Sequence, residues 1–140
     1  MDIDFEIVNG TSLVQDSYTL DLHNDFNFTE MYYSVRDRSL KLEWCISKGN
    51  WVSKDTPERL TIEFTEVDEF RFIPRDPEMP FTEDDCISSI GYLTDEDWVD
   101  GVFVVQSNQE IDPKWLTAID FMSGSTIALK AKKANARITT

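Results

Sequence analysis

The chain has 140 residues, of which 41% are hydrophobic, and it carries nine Phe, four Tyr and four Trp. A chain of this length buries roughly 65–70% of the surface that its unfolded form exposes, so the composition predicts one folded domain over residues 1–140 and excludes a disordered protein. The net charge of −14 disfavours binding to nucleic acid and favours a basic protein partner. The alternative is that the acidity only keeps the domain soluble.

Cys45 and Cys86 are the only cysteines and are too few for a disulfide framework. Each lies within or beside an apolar run, which predicts two buried, unreactive thiols. The first six residues are acidic and alternating, unlike the basic and then apolar start of a secretory signal. No apolar run approaches the ~18 residues of a membrane span. We therefore expect a cytoplasmic protein with no membrane partner.

Alternation of apolar and polar residues dominates the chain, beginning near its first residue. Ile3, Phe5 and Ile7 alternate with acids and predict a half-buried strand that ends at the turn residues 9–10. The pattern over residues 11–24 is less regular. Within it, Thr11 and Ser12 would cap a short helix over Leu13, Val14 and Tyr18.

Two alternating segments joined by a polar link follow. Apolar residues alternate over residues 31–35 and again over residues 40–46, and the link 36–39 has the length of a hairpin loop. Residues 60–64 alternate in the same way and predict another strand. This part of the chain therefore predicts antiparallel neighbours.

The second half of the chain predicts four more elements. Residues 70–73 predict a separate short strand, which a long surface loop over residues 74–85 is expected to follow. Residues 86–93 predict a strand, and the continuous apolar run 102–105 predicts a central strand covered on both faces. Residues 115–131 predict a second hairpin.

Together these elements define the expected fold class. It is mostly β, either an antiparallel sandwich or a strongly curled sheet of about nine short strands. One minor helix is expected to cover one end.

The residue types that carry enzyme chemistry are sparse. His23 is the only histidine, and no nucleophile motif accompanies it. The five glycines are isolated from one another, so the sequence has no phosphate-binding loop. The acids of residues 95–100 are spaced partly like a calcium loop, but Val99 stands where the third acid of that loop should be and Gln106 where its closing glutamate should be. We expect no catalytic activity, no cofactor and no metal ion.

Acidic residues are concentrated in residues 66–100. Twelve carboxylates there face only Arg71 and Arg75, which gives this segment a net charge of −10. No acid follows Asp120, and the chain beyond it is basic. The segment 66–100 is therefore the expected contact surface for a basic partner.

Three stretches of sequence resemble a known group of proteins. They are residues 22–26 (Leu-His-Asn-Asp-Phe), residues 60–67 (Leu-Thr-Ile-Glu-Phe-Thr-Glu-Val) and residues 119–127, which hold a glycine turn between apolar residues. In this order they resemble small β-rich bacterial immunity proteins of polymorphic toxin systems, over about residues 22–131. The resemblance implies a small inhibitor whose partner is a toxin.

Charge and resemblance together predict an immunity-type inhibitor that binds a basic protein partner through an acidic face. The alternative is a structural or accessory β module, or a carrier of a small ligand, without catalytic activity. The predicted partner-binding residues are Asp84, Asp85, Asp95, Glu96, Asp97, Trp98, Asp100, Phe81 and His23.

Tight binding also needs side chains that lose their water on contact. Trp51, Phe81 and Trp98 lie in polar loops, where they either anchor a partner or fold back as lids on the core. His23 either hydrogen-bonds to the backbone or to a nearby acid such as Asp25, or lies at a binding surface and responds to pH.

Overall fold

The computed structural model describes residues 1–94 and 102–140 as a mostly β structure. Its strands are β1 (Asp2–Ile3), β2 (Glu6–Val8), β3 (Ser12–Gln15), β4 (Tyr18–Asp21), β5 (Phe26–Ser34), β6 (Ser39–Ile46), β7 (Arg59–Ile73), β8 (Ile87–Leu93), β9 (Leu116–Phe121) and β10 (Thr126–Thr139). The helical elements of the described residues are two 3₁₀ turns, Phe81–Glu83 and Asn108–Glu110. The predicted mostly β fold class is confirmed.

Seven strands form one sheet in the order β5-β6-β7-β10-β9-β8, and β1 adds to β10 in parallel. The other pairs in this sheet are antiparallel, and they confirm both predicted hairpins as β5–β6 and β9–β10. The sheet curls strongly into a half-barrel, which is the second of the two arrangements left open above. Strands β2, β3 and β4 form a separate three-stranded sheet.

The long pair of β7 and β10 runs through the middle of the curled sheet. Its register extends from Arg59 opposite Thr139 to Ile73 opposite Thr126, with one shift of register along the way. Near that shift Glu66 has a φ of 53°. Regular alternation after the buried Phe64 would bury Glu66 next, but the buried residue is Val67. The prediction of two separate strands here is wrong, because a bulge changes the alternation and increases the twist without ending the strand.

Residues 12–21 form the β3–β4 hairpin, and the interpretation of this segment as a short helix is wrong. Leu13 and Leu20 are opposite each other in the β3–β4 ladder, and both are fully buried. The strands meet at the closing pair of Gln15 and Tyr18, with Asp16 in the turn at a φ of 53°. The apolar residues therefore meet across a tight turn and do not line one face of a helix.

The predicted first strand is divided between the two sheets. Strand β1 pairs with β10, whereas β2 pairs with β3. Asp4 lies between them, and its carboxylate accepts hydrogen bonds from the Ala136 N–H at 2.8 Å and the Asn135 side-chain amide at 3.1 Å. Because these bonds hold Asp4 to β10, the chain changes sheet at this residue. Phe5 is buried next to it, as the alternation predicts.

The apolar run 102–105 does not form the predicted central strand. Phe103 alone makes a bridge, to Tyr92 at the end of β8, and Val104 is 51% exposed. In the described part of the chain this run bridges only to β8, the last strand of the sheet order, and so has one strand neighbour there and not two. An apolar run of this length is compatible with an edge strand as well as with a central strand, and composition alone does not distinguish the two.

The interior of the curled sheet is filled by large side chains, of which Trp44, Phe26 and Phe64 are fully buried. Phe28 of β5 packs its ring 5.1 Å from that of Trp44 and 4.9 Å from that of Phe121 in β9. The contact with Phe121 brings β5, the first strand of the order, against β9, the last but one. An open seam remains, which we define as the gap between β5 and three strand ends: the last residues of β7 and β9 and the first residues of β10.

Candidate functional site

The loop of residues 74–85, which leads from β7 to β8, is organised around Arg75. The Arg75 Nε donates to Asp84 Oδ1 at 2.8 Å, and a second guanidinium nitrogen donates to the Met79 carbonyl oxygen. The same guanidinium lies 4.6 Å from the centre of the Phe81 ring. One cation therefore holds a carboxylate, a carbonyl and an aromatic ring in place.

Phe81 stands out from this loop and is 81% exposed. It therefore does not act as a lid on the core. Asp84 is half-exposed and already pairs with Arg75, so its charge shapes the loop before any partner arrives. An ion pair this accessible to water contributes at most about 1 kcal/mol to stability.

An apolar groove of about 320 Å³ opens along the seam, next to this loop. We call it the seam groove. Its walls come from β5, β7, β9, β10 and the loop, and they include Phe28, Met31, Phe72, Phe121 and Ile127. Met31 is 38% and Phe72 is 50% exposed, so apolar surface remains in contact with water here. Exposed apolar surface with a polar rim is typical of an interaction site.

Below the groove, the seam is closed by the residues just before β8. The Phe28 N–H donates to the Asp85 carbonyl oxygen at 2.8 Å. His23 is half-buried, and its Nδ1 lies 2.5 Å from the Ile87 carbonyl oxygen and 3.7 Å from the Cys86 sulfur. The Nδ1 therefore donates to a backbone carbonyl, as one of the two interpretations of His23 expects. Asp85 contributes to this closure through its backbone.

Cys45 and Cys86 are both free thiols and half-buried, and neither is bonded to another cysteine. Burial raises the pKa of the Cys86 thiol, and the negative charges of Glu83 and Asp85 add to that effect. A raised pKa leaves little thiolate at neutral pH, so the Cys86–His23 contact is not an activated nucleophile.

The turn that carries His23 is fixed by Asp21. Its carboxylate accepts hydrogen bonds from the His23 N–H at 3.1 Å and from the Asn24 N–H at 3.0 Å and side-chain amide at 2.9 Å. Burial raises the pKa of Asp21, but these hydrogen bonds outweigh burial and leave the pKa lower than usual. For Asp25 in the same turn, burial and the charge of Asp21 raise the pKa.

Trp51, the remaining candidate anchor among the described residues, is 66% exposed and lies outside the seam groove. Its ring lies against Gly49, and its Nε1 donates to the Asn24 carbonyl oxygen at 2.9 Å. Trp51 and Phe81, which the sequence analysis treats alike as anchors or lids, therefore differ in position: Phe81 lies in the loop beside the seam groove and Trp51 lies outside that groove.

Five predicted binding residues lie outside the described part of the chain: Asp95, Glu96, Asp97, Trp98 and Asp100. The described part brings the other four together along the seam, with Phe81, Asp84 and Asp85 in the loop and His23 beneath it. It contains no group of three His, Cys, Asp or Glu side chains arranged to hold a metal ion. None of its helical segments has the length and hydropathy needed to cross a bilayer.

Sequence reasoning missed Met31, Phe72 and Arg75. Met31 and Phe72 alternate with polar residues as core side chains do, and the sequence pattern does not reveal that they face an open seam. Arg75 is one of two cations in a strongly acidic segment, and that rarity was the available signal.

Comparisons with family models, curated proteins and solved structures find no match to this chain.

Proposed function

We propose that this protein is a cytoplasmic inhibitor of the bacterial immunity type, which binds a basic protein partner, such as a toxin, at the seam. One observation carries the proposal. An exposed apolar groove lies beside a loop that carries the exposed Phe81 and that holds five carboxylates and one arginine between residues 75 and 85. Apolar surface supplies affinity, and the surrounding charge selects the sign of the partner.

Charge would act first in this mechanism. The overall charge of −14 and the acidic loop attract a basic surface and orient it before contact. Because Arg75 is already paired with Asp84, it does not oppose that attraction as a bare cation would. Steering of this kind raises the association rate and is screened beyond a Debye length of about 10 Å at 0.1 M salt.

Apolar contact would then hold the complex. Phe81 presents an aromatic ring that is already positioned by Arg75, so little side-chain freedom is lost on binding. Met31 and Phe72 can lose their contact with water in the same step. Dissociation should therefore depend on these side chains far more than on salt.

The test begins with the partner that the immobilised protein retains from an extract of its native host, which is identified and purified. Association and dissociation rates are then measured against salt concentration by surface plasmon resonance. Glu83→Gln with Asp85→Asn should lower the association rate and flatten its dependence on salt. Phe81→Ala should raise the dissociation rate by about tenfold or more, as expected for an anchor.

Asp16→Asn is the control for a carboxylate lost elsewhere, because it removes one exposed carboxylate from the β3–β4 turn, away from the loop. It should leave both rates nearly unchanged. Binding that does not depend on salt, or full binding by the loop variants, would argue against the proposal. A small molecule retained in the seam groove in place of a protein would favour the carrier alternative, since the groove is at the lower end of the size range of ligand sites.

A further inference from the structure

Strand β5 is an edge of the curled sheet, and part of its backbone has no neighbour among residues 1–94 and 102–140. On β6, Ile46 donates its N–H toward β7, away from β5. Residues two apart along a strand direct their N–H and C=O groups to the same side, so Leu42, four residues before Ile46, also directs its groups toward β7. Leu42 and Met31, which lie opposite each other, therefore form a non-hydrogen-bonded pair of the β5–β6 ladder. The same holds for Leu40 opposite Tyr33. The N–H and C=O groups of Met31 and Tyr33 therefore point outward from the sheet.

In the described residues, no backbone hydrogen bond reaches these outward groups of Met31 and Tyr33. Along β5, the seam is closed as far as Phe28, whose N–H donates to the Asp85 carbonyl oxygen. Beyond it, residues 29–32 are all exposed. Free backbone donors and acceptors on an edge strand form a template for a further strand.

The convex face of β5 indicates what kind of strand fits. Glu30 lies directly opposite Glu43 in the ladder, and like charges in that position repel each other. Tyr32, on the same face, is 64% exposed. A cation on an incoming strand would relieve the repulsion between the two glutamates, and a second cation could lie over the Tyr32 ring.

The concave face indicates the opposite chemistry. Side chains of paired residues share a face of a sheet, so a residue placed opposite Met31 would direct its side chain into the seam groove. That groove is lined there by Phe72, Phe121 and Ile127. An apolar side chain fits this position, and its two neighbours along the strand would face the glutamates and Tyr32.

We propose that an extended segment of the basic partner adds to β5 as a further strand, with an apolar side chain in the seam groove and basic residues on either side of it. The inference rests on the proposed function and specifies its mode of binding. A second copy of this chain is a poor occupant, because it would bring another charge of −14 and another Glu30 to the same edge. Backbone bonds would supply affinity, and the alternation of basic and apolar residues would supply register.

The probe is a synthetic, end-capped peptide of the sequence Lys-Val-Lys-Phe-Lys-Val-Lys carrying a fluorophore, titrated with the full chain at low salt and followed by anisotropy. Amide hydrogen exchange should show new protection at Met31 and Tyr33. A peptide N-methylated at alternate residues loses the donors on one side and should bind about tenfold more weakly or worse. A peptide with Glu in place of Lys should not bind.

Two variants at one position separate backbone from side chain. Met31→Pro removes the outward N–H without removing a bond to β6, which is where an edge strand tolerates proline. Met31→Ala keeps that N–H and loses only the side chain. We expect binding to fall about tenfold further for Met31→Pro than for Met31→Ala, with both variants folded as judged by circular dichroism.

The other results overturn the proposal in distinguishable ways. Binding that ignores Met31→Pro and N-methylation but is lost in Glu83→Gln with Asp85→Asn would refute strand addition and leave the proposed function standing. Equal binding of the Glu peptide would refute the basic partner and leave strand addition standing. A dimer of the chain that Met31→Pro abolishes would assign the edge to a second copy. If Met31→Pro does not fold, the N-methylated peptide and the exchange pattern decide.

Discussion

Replacing Gly91 with alanine should detach the segment around residue 103 from β8. A Cβ at residue 91 would lie under 3.0 Å from the carbonyl oxygen of Phe103, a separation that real Cβ atoms essentially never show. The obstacle is backbone, so no rotation of a side chain can relieve it. The segment is held there by two hydrogen bonds between Tyr92 and Phe103, at 2.8 and 2.9 Å.

The expected loss follows from those two bonds. Moving residue 103 away far enough to admit a methyl group breaks both, and each contributes about 1 kcal/mol net. With the lost packing of the Phe103 ring, which lies 4.9 Å from that of Trp115, we expect a total of about 2–3 kcal/mol. Against a typical domain stability of roughly 5–15 kcal/mol, the variant should still fold.

Gly49→Ala is the matched control. The added Cβ would again come under 3.0 Å from a neighbour, but here the neighbour is the ring of Trp51, which is 66% exposed and can rotate away. It should cost less than about 1 kcal/mol, mainly through the lost Trp51–Asn24 hydrogen bond. Urea unfolding measures both variants, and hydrogen exchange at residue 103 locates the damage. Equal losses in the two variants, or a loss under about 0.5 kcal/mol in Gly91→Ala, would refute this reasoning.

Two further predictions concern titration. The pKa of Cys86 is raised by burial and by Glu83 and Asp85, so iodoacetamide should alkylate this thiol slowly at pH 8 and much faster in urea; equal rates would contradict the prediction. Burial raises the pKa of Tyr92 to about 12, so its contribution to stability should be complete below the ordinary value of 10.0 and be lost as the pH rises toward 12. Tyr92→Phe should reduce the fall in unfolding free energy over that range, and an unchanged profile would place the effect elsewhere.

The fold class could be predicted because alternation reports local geometry directly. Leu60, Ile62 and Phe64 alternate and are all fully buried. The pattern failed where one residue broke the period, as at Glu66, or where a tight turn brought apolar residues together across a hairpin, as at Leu13 and Leu20. In both cases the structure depends on which strands pair and in what register, and the apolar pattern of a single segment carries no information on either.

The candidate site was partly predictable for a different reason. Polar loops that hold a lone aromatic residue are visible in sequence, and Phe81 was found in this way. Whether Met31 lies in a core or on an edge depends on how far the sheet closes, which is set by distant contacts such as Phe28 with Phe121. The open seam is therefore a property of the whole sheet and not of any one segment.

The position of β10 in the chain has a consequence for how the protein folds. Strand β10 follows every strand with which it pairs, and Asp2 of β1 meets Lys133 across most of the sequence. Contacts between such distant residues form late and slowly, typically in milliseconds to seconds. Until then β7 and β9 each keep an open side that could pair with another chain. The charge of −14 acts in this interval as well, because unfinished chains that repel one another have time to complete their own sheet.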